Sequence, residues 1–282
     1  FHVVFGKTVP GISLNAVANL GYADCRFLQP VYPGDTLSAS SEVIGLRENS
    51  SKETGVVWVR STGTNQRGEP VLEYCRWVMV RKRDAAAPAP PASAPMLPER
   101  VDPARLGGAV PKLAHAAYDM ALAGSTARWG DYAVGERIDH IDGMTIEEAE
   151  HQIATRLYQN TAKVHFNQHS EGKGRFKRRL IYGGVIISLA RALSFNGLAN
   201  AFHVAGINGG RHIAPCFAGD TIYAWSEVLE TAEIPDRIDI GALRLRLVAT
   251  KDHPCHDFPL QGDGGAAEGV VLELDLWAVV PR

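Results

Sequence analysis

Three collinear blocks in the second half of this 282-residue chain repeat blocks in the first half, so whatever supersecondary unit forms must form twice. The segment from Pro30 to Ile44, PVYPGDTLSASSEVI, lies without gaps on Pro215 to Leu229, PCFAGDTIYAWSEVL, with eight of fifteen positions identical. GVVWVR from Gly55 then parallels GALRLR from Gly241, and Val71-Leu72-Glu73 with Trp77 parallels Val271-Leu272-Glu273 with Trp277. Every block carries the period of two expected of strands. Val56 to Thr64, Val71 to Val80, Leu243 to Thr250 and Val270 to Val280 mix β-branched, aromatic and apolar residues with polar ones. Pro33-Gly34-Asp35 and Ala218-Gly219-Asp220 supply turn chemistry just before a strand in each copy.

Ahead of the strands, apolar residues recur at helical spacing: Ile12, Val17 and Leu20 in one half, and Ile186, Leu189, Ala190, Leu193 and Ala199 in the other. One buried helix per antiparallel sheet is the hotdog arrangement, so the expected fold is α+β, a tandem or double hotdog. Residues 85–98, AAAPAPPASAPMLP, are eleven-fourteenths Ala and Pro, a composition that favours an extended tether over a packed element. The expected division is 1–84 for the first repeat, 85–112 for the linker and 113–282 for the second repeat. About seventy residues precede the helix of the second repeat, but only five precede Gly6. The first repeat is therefore expected to lack its N-terminal part, with an unpaired sheet edge where that part belongs.

Lys and Arg total 29 against 31 Asp and Glu, a net charge of −2, too balanced for general attraction to nucleic acid or an anionic membrane. No apolar run approaches the roughly 18 residues of a membrane span, and the first residues lack a signal-peptide pattern. Cys25, Cys75, Cys216 and Cys255 are widely spaced with no C-x-x-C pair, which points to a reducing, cytoplasmic setting rather than a disulfide scaffold or zinc ribbon. Gly6-Lys7-Thr8 lacks the first glycine of a P-loop, Gly11-x-Ser13-x-Asn15 lacks the last glycine of a nucleophile elbow, and no G-x-G-x-x-G follows a strand. His165 and His169 stand at i and i+4 without a third ligand at motif spacing, and His253, Cys255 and His256 lie in a proline-containing loop, so no metal site is expected. Thr145-Ile-Glu-Glu148 fits a capping box, which accounts for Glu148, while Glu147 and Glu150 suit the first turn of a helix.

The segment from Tyr158 to Asn167, YQNTAKVHFN, followed by Tyr182-Gly183-Gly184 at the start of the second helix, resembles the MaoC-like hotdog enoyl-CoA hydratases. Those enzymes carry an Asp, a His five residues later, and a His-Gly pair in the first turn of the core helix. Here Asn160 stands in the Asp place, His165 matches the His, and Tyr182-Gly183 replaces His-Gly. Across its length the chain is more similar still to the mesaconyl-CoA (2-methylfumaryl-CoA) hydratases within that family. This similarity rests on FGKTVPGISLNAVANLGYAD, VYPGDTLS, RWVMVRKRD, TIEEAEHQIATRLYQNTAKVHFN and SLARALSFNGLANA. Members of that group carry a further segment ahead of the FGKTVP block.

The resemblance implies reversible hydration of the C=C of mesaconyl-CoA to β-methylmalyl-CoA. That chemistry needs a base for water, a proton donor for the α-carbon and hydrogen bonds for an enolate oxygen. A neutral imidazole, with a reference pKa of about 6.5, makes His165 the candidate base. The Gly183 and Gly184 amides at a helix N-terminus are the candidate oxyanion donors, and Tyr182 a substrate contact. Asn160 can hold water but cannot exchange a proton as a carboxylate does, so either His165 performs both proton steps or Glu147 or Glu150 supplies the second. Lys173, Arg175, Lys177, Arg178 and Arg179 form either a solvated loop or a clamp for coenzyme A phosphates. Arg191, with Arg156 second, is expected to meet a free carboxylate on the acyl group, unless it extends to solvent.

The expected partner is an acyl-CoA substrate, with coenzyme A part of that substrate and no separate cofactor, and a homodimer is expected. A different MaoC-like enoyl-CoA hydratase, a hotdog thioesterase and a non-catalytic acyl-CoA-binding subunit stay open as alternatives.

Overall fold

A computed structural model describes residues 1–114, 117–262 and 265–282. The first repeat opens with helix α1 (His2–Ile12) and continues as strands β1 (Ala16–Phe27), β2 (Ser38–Glu48), β3 (Thr54–Thr64) and β4 (Pro70–Arg81). The second half begins with a one-turn helix α2 (Met120–Ala123) and the short strands β5 (Arg137–Asp139) and β6 (Met144–Thr145). Helices α3 (Glu148–Leu157), α4 (Lys163–Phe166), α5 (Gln168–Glu171), α6 (Gly183–Leu193) and α7 (Phe195–Leu198) follow. Strands β7 (His203–His212), β8 (Thr221–Glu233), β9 (Ile240–Lys251), the small pair β10 (Gln261–Gly262) and β11 (Gly265–Ala266), and β12 (Val270–Pro281) complete the chain.

The long strands form one antiparallel sheet in the order β2-β3-β4-β1-β7-β12-β9-β8-β5, with β6 also on β8. Read outward from the β1–β7 seam, the two flanks are the same sequence of repeat elements: β1, β4, β3, β2 on one side and β7, β12, β9, β8 on the other. The duplication reaches the turns. Gly34 and Gly219 have φ of 95° and 97°, a region open to glycine at little cost. Asp35 accepts the Tyr32 N–H at 2.9 Å, and Asp220 accepts the Phe217 N–H at 2.9 Å. The expected α+β double hotdog is the observed architecture, with α1 and α6 contributing to one shared core. Val4, Phe5 and Val9 of α1 and Ile186, Ala190 and Leu193 of α6 are buried there with Leu243, Leu245, Leu272 and Leu274.

Three local expectations are corrected. The first helix ends at Ile12, and Val17 and Leu20 lie in β1, paired along its length with β4. Pro10 occupies its last turn, and the sparse spacing 12, 17, 20 suits a strand equally once a sheet edge is available. The second helix ends at Leu193, so Ala199 lies beyond it. Asn196 and Gly197 leave helical geometry, and a Cβ on Gly197 would fall 2.4 Å from Ile138. The capping box at Thr145 does not form. Thr145 belongs to β6, where its hydroxyl meets that of Thr221 at 2.9 Å, and α3 begins at Glu148 after Glu147. Pairing with β8 takes the hydroxyl away from the helix terminus.

The Ala/Pro stretch at 85–98 runs extended and largely exposed, with Ser93 bonded to Leu46 in both directions at 2.8 Å. From Val101 the backbone packs on the second half instead. Val101, Leu106 and Val110 join Ile240, Trp277 and Val279, and the Trp277 indole donates to the Val101 carbonyl at 3.0 Å. The extended part is thus shorter than 85–112, because apolar residues at 101, 106 and 110 bury favourably.

Helix α1 packs on β2 and β3 of its own repeat and also touches the second. A Cβ at Gly6 would lie 1.6 Å from the Tyr158 carbonyl oxygen at the end of α3, whereas one at Gly11 meets nothing within 4 Å. Gly6→Ala is therefore expected to lower stability by about 1–3 kcal/mol through overpacking. Gly11→Ala should be neutral or stabilising by about 0.5–1 kcal/mol. Thermal or urea denaturation of the two variants checks the contrast, and equal effects would show that the Gly6–Tyr158 approach does not matter.

Candidate active site

The segment between α3 and α6 folds so that its polar side chains cap its own short turns. After Gln159, at φ 56°, Asn160 is buried and its Oδ1 accepts the Ala162 N–H at 3.1 Å, just ahead of α4. That single turn carries His165. The chain then returns alongside it, with the Leu180 N–H donated to the Val164 carbonyl at 2.9 Å. Leu180 also receives a hydrogen bond from His165 Nδ1 at 2.9 Å. A carbonyl oxygen can only accept, so Nδ1 holds the proton and Nε2 keeps its lone pair. Burial pushes the His165 pKa down to about 4, opposed by the Leu180 carbonyl, so the ring is neutral near pH 7.

Helix α6 starts at the other side of this loop. Its N-cap, Tyr182, donates its backbone N–H to Nε2 of His151 at 2.9 Å, which satisfies one terminal amide. The next two amides, of Gly183 and Gly184, have no intrahelical acceptor and no hydrogen bond among the described residues. Neither position has room for a side chain. A Cβ on Gly183 would lie 2.4 Å from His212 Nε2, and one on Gly184 would lie 2.5 Å from the Tyr182 ring and 2.7 Å from His2 Nδ1.

Asn160, His165, Tyr182 and Gly183 all line a cavity of about 360 Å³. Gly184 sits one residue deeper and does not line it. The opposite wall comes from the first repeat: Phe5, Val9, Ser13, Asn19, Tyr22 and Arg76. His212, at the end of β7, completes the polar lining, its Nε2 3.3 Å from the Tyr22 hydroxyl. Burial, and then the neighbouring His165, push its pKa down to about 4. Among the described residues no aspartate or glutamate lines this cavity. Glu147 and Glu150 are exposed on α3 and its N-cap, away from it, so neither offers the second proton there.

The cationic candidates separate. Arg175 lines the cavity beside Phe176, with its guanidinium 5.1 Å from that ring. Arg178 lies 3.9 Å over the Phe217 ring, and Lys173 is exposed with its Nζ 3.3 Å from His169. Arg179 pairs with Glu148. His169 therefore faces Lys173, while His165 lines the cavity. Arg191 does not reach the cavity: its guanidinium is held by Ser194 Oγ at 2.6 Å and by the Ala201 carbonyl, where it ties the end of α6 to the following loop. Arg156 is exposed on α3, also outside the cavity. Neither expected carboxylate ligand lines the cavity, whereas Arg76, which the sequence pattern did not single out, does. Arg76 shares the period-two face of Leu72, Tyr74 and Val78 on β4, and a charged residue on a core face was the legible signal. His151 and His212 gave no comparable signal, since their roles depend on which amide or ring folds against them.

The sequence profile of the family described as mesaconyl-CoA hydratase matches residues 1–259. A Chloroflexus aurantiacus protein named beta-methylmalyl-CoA dehydratase is 64% identical over 100% of this chain and 80% of its own length. A Cereibacter sphaeroides protein named mesaconyl-CoA hydratase is 61% identical over 100% of this chain and 81% of its own. The solved structure of a MaoC domain dehydratase from Chloroflexus aurantiacus superposes with a TM-score of 0.96 at 63% identity, covering 100% of this chain and 80% of that one. A Mycobacterium tuberculosis protein described as a double hotdog superposes at 0.66 with 26% identity, over 99% of this chain and 79% of that one.

His2, His140, His151, His165 and His212 are each pushed by burial from 6.5 to about 4. In this window the unfolded chain binds more protons than the folded one, so stability is full above about pH 6.5 and is lost as pH falls towards 4. The melting temperature is expected to be flat from pH 7 to 8 and to drop steadily between 6.5 and 4. A flat profile down to pH 4.5 would show that these rings are not buried neutral.

Proposed function

Because the chain belongs to the mesaconyl-CoA hydratase family, we propose that His165 and the amino end of α6 carry out its reaction, with Asn160 holding the water. The protein is a hydro-lyase of the enoyl-CoA hydratase type, adding water reversibly across the C=C of mesaconyl-CoA to give β-methylmalyl-CoA. The observation that carries the proposed roles is the His165 tautomer: with Nδ1–H committed to Leu180, Nε2 is the basic atom of a ring that lines the same cavity as Gly183.

In the hydration direction, Nε2 removes a proton from water as the water oxygen bonds to the β-carbon. The π electrons move towards the thioester, and the enolate oxygen so formed is met by the Gly183 N–H group and the positive end of α6, with the Gly184 amide behind it. The imidazolium then returns the proton to the α-carbon, so that one water is added and the base is regenerated. Asn160 Oδ1 is occupied by Ala162, which leaves the Nδ2 hydrogens to orient the water oxygen. With no carboxylate on the cavity wall among the described residues, both proton steps are assigned to His165. The chemistry needs no group beyond the chain and its thioester substrate, so no separate cofactor is part of this reading.

A homodimer, with twice the 30.5 kDa mass on light scattering, belongs to the same reading. So does a cytoplasmic setting, since all four cysteines are free and buried. Among the described residues no helix is long and apolar enough to cross a membrane.

His165→Ala should lower kcat for mesaconyl-CoA hydration by about 10²–10⁴-fold, followed as loss of the conjugated thioester absorbance. No free thiol should appear with the wild type, since thiol release would mean hydrolysis instead. Asn160→Asp should lower the rate, and a raised or unchanged rate would show that the amide is not specifically required. A neutral base with a pKa near 4 places the acidic limb of kcat/KM well below 6.5. A limb at 6.5, or an unimpaired His165→Ala enzyme, would remove His165 from the reaction.

A further inference from the structure

The first repeat supplies a buried cation that has no counterion. Arg76 is 1% exposed and lies on the cavity wall opposite His165. Its Nη2 donates to Thr8 Oγ1 at 3.0 Å, and its guanidinium carbon sits 4.3 Å above the Phe5 ring. Nε is buried without any partner. The nearest titratable neighbours are Tyr74, Tyr22 and Tyr182, and among the described residues no carboxylate forms an ion pair with it. Arg191 also lacks a carboxylate partner, but Ser194 Oγ and the Ala201 carbonyl hold its guanidinium, and two other buried arginines are paired with acids. Arg26 meets Glu73 at 2.9 Å, and Arg237 meets Asp239 at 2.6 Å. Burial lowers the pKa of Arg76, as expected for a cation removed from water without compensation. Such a charge is costly to keep, and replacing it by an apolar residue of similar volume would ordinarily be neutral or stabilising.

Unpartnered polarity gathers on the same wall. Ser13 Oγ and both Asn19 side-chain heteroatoms are buried without partners and also line the cavity. Three residues of one cavity with unmet hydrogen-bonding capacity, one of them cationic, describe a receptor for an anion with several lone pairs.

We propose that Arg76 is the specificity-determining residue that pairs with the free carboxylate of the substrate's acyl group, with Asn19 and Ser13 completing that subsite. The assignment rests on the hydratase reading above. It deepens that reading by saying how a dicarboxylic acyl group is told from a monocarboxylic one. In 2-methylfumaryl-CoA the free carboxylate is attached to the β-carbon, the atom that receives water, so anchoring it also aims that carbon at His165. The spacing suits one short acyl group. Phe5 beneath Arg76 is 5.8 Å from the Tyr182 ring, which is in turn 5.6 Å from the His165 ring. Arginine suits the position because its planar fork can hold Phe5 and Thr8 while another edge faces a carboxylate.

The test compares mesaconyl-CoA with (E)-2-methyl-2-butenoyl-CoA, in which a methyl group replaces the carboxylate. Arg76→Met should reduce the ratio of the two kcat/KM values at least 100-fold, and Arg76→Lys should restore part of it. The melting temperature of Arg76→Met should equal or exceed that of the wild type. An unchanged ratio, or equal losses on both substrates, overturns the assignment, as does a large drop in melting temperature, which would mark Arg76 as structural. Should Arg76→Met fail to fold, Asn19→Ala is expected to shift the ratio about 10-fold in the same direction, and no shift counts against the subsite. Calorimetric binding of free methylfumarate separates this assignment from the hydratase reading. If the wild type hydrates neither thioester but binds methylfumarate, and Arg76→Met does not, the reaction assignment fails and the anion subsite stands. If hydration proceeds but both proteins bind methylfumarate equally, the subsite fails and the reaction assignment stands.

Discussion

Everything in this protein that concerns a ligand depends on the antiparallel seam between β1 and β7. There Tyr22 pairs with Gly210, Ala23 with Gly209, Cys25 with Ile207 and Arg26 with Gly206, and the two repeats become one sheet. Glycines on β7 make room for side chains of the strands on either side: a Cβ on Gly210 would lie 2.5 Å from Leu274 of β12 and 3.5 Å from the Tyr22 ring of β1. Once the seam forms, α1 and α6 share a core, and α1 rests against the end of α3. The cavity is the space left between the two repeats, with Asn160, His165, Tyr182, Gly183 and His212 from one and Phe5, Ser13, Asn19, Tyr22 and Arg76 from the other.

Desolvation then sets the charge state of that space. It drives His165 and His212 towards their neutral forms. The same desolvation would raise the pKa of any carboxylate and make an unpaired anion expensive. An amide at position 160 adds no negative charge to a cavity read as receiving an anionic acyl group, and it still caps the turn that presents His165. Glycine amides at the start of α6 provide polarity without ionisation. His151 consumes the Tyr182 N–H and so directs the remaining open amides to positions 183 and 184.

Much of this was readable along the chain. The repeated Gly-Asp turns and alternating strands are local patterns, and they recur in the structure with matching φ angles and hydrogen bonds. The pairing of Asn160, His165 and Gly183 was legible because all three lie within one loop and the adjoining helix start. Val17 and Leu20 misled because a short apolar pattern near a proline does not distinguish a helix end from a strand start. Thr145 misled because its hydroxyl had two possible partners, and the one on β8 lies 76 residues away. Arg191 misled for a related reason: it does lie on the core helix, but its contacts turn it towards the Ser194 and Ala201 loop.

What the sequence determined by itself was the set of units: two copies of a sheet with its helix, a histidine loop, and a helix whose first residues are small enough for close approach. Short-range sterics and side-chain periodicity suffice for that, since each depends on residues a few positions apart. Which groups face one another across the cavity was decided only by the tertiary structure. Arg76 lies 89 positions before His165, and they share a wall-to-wall space only because hydrogen bonds along β1 and β7 join the repeats in one register. A shift of one residue in such a ladder would turn each side chain to the opposite face. That long-range pairing is what places a charged residue of a strand on the wall of a cavity.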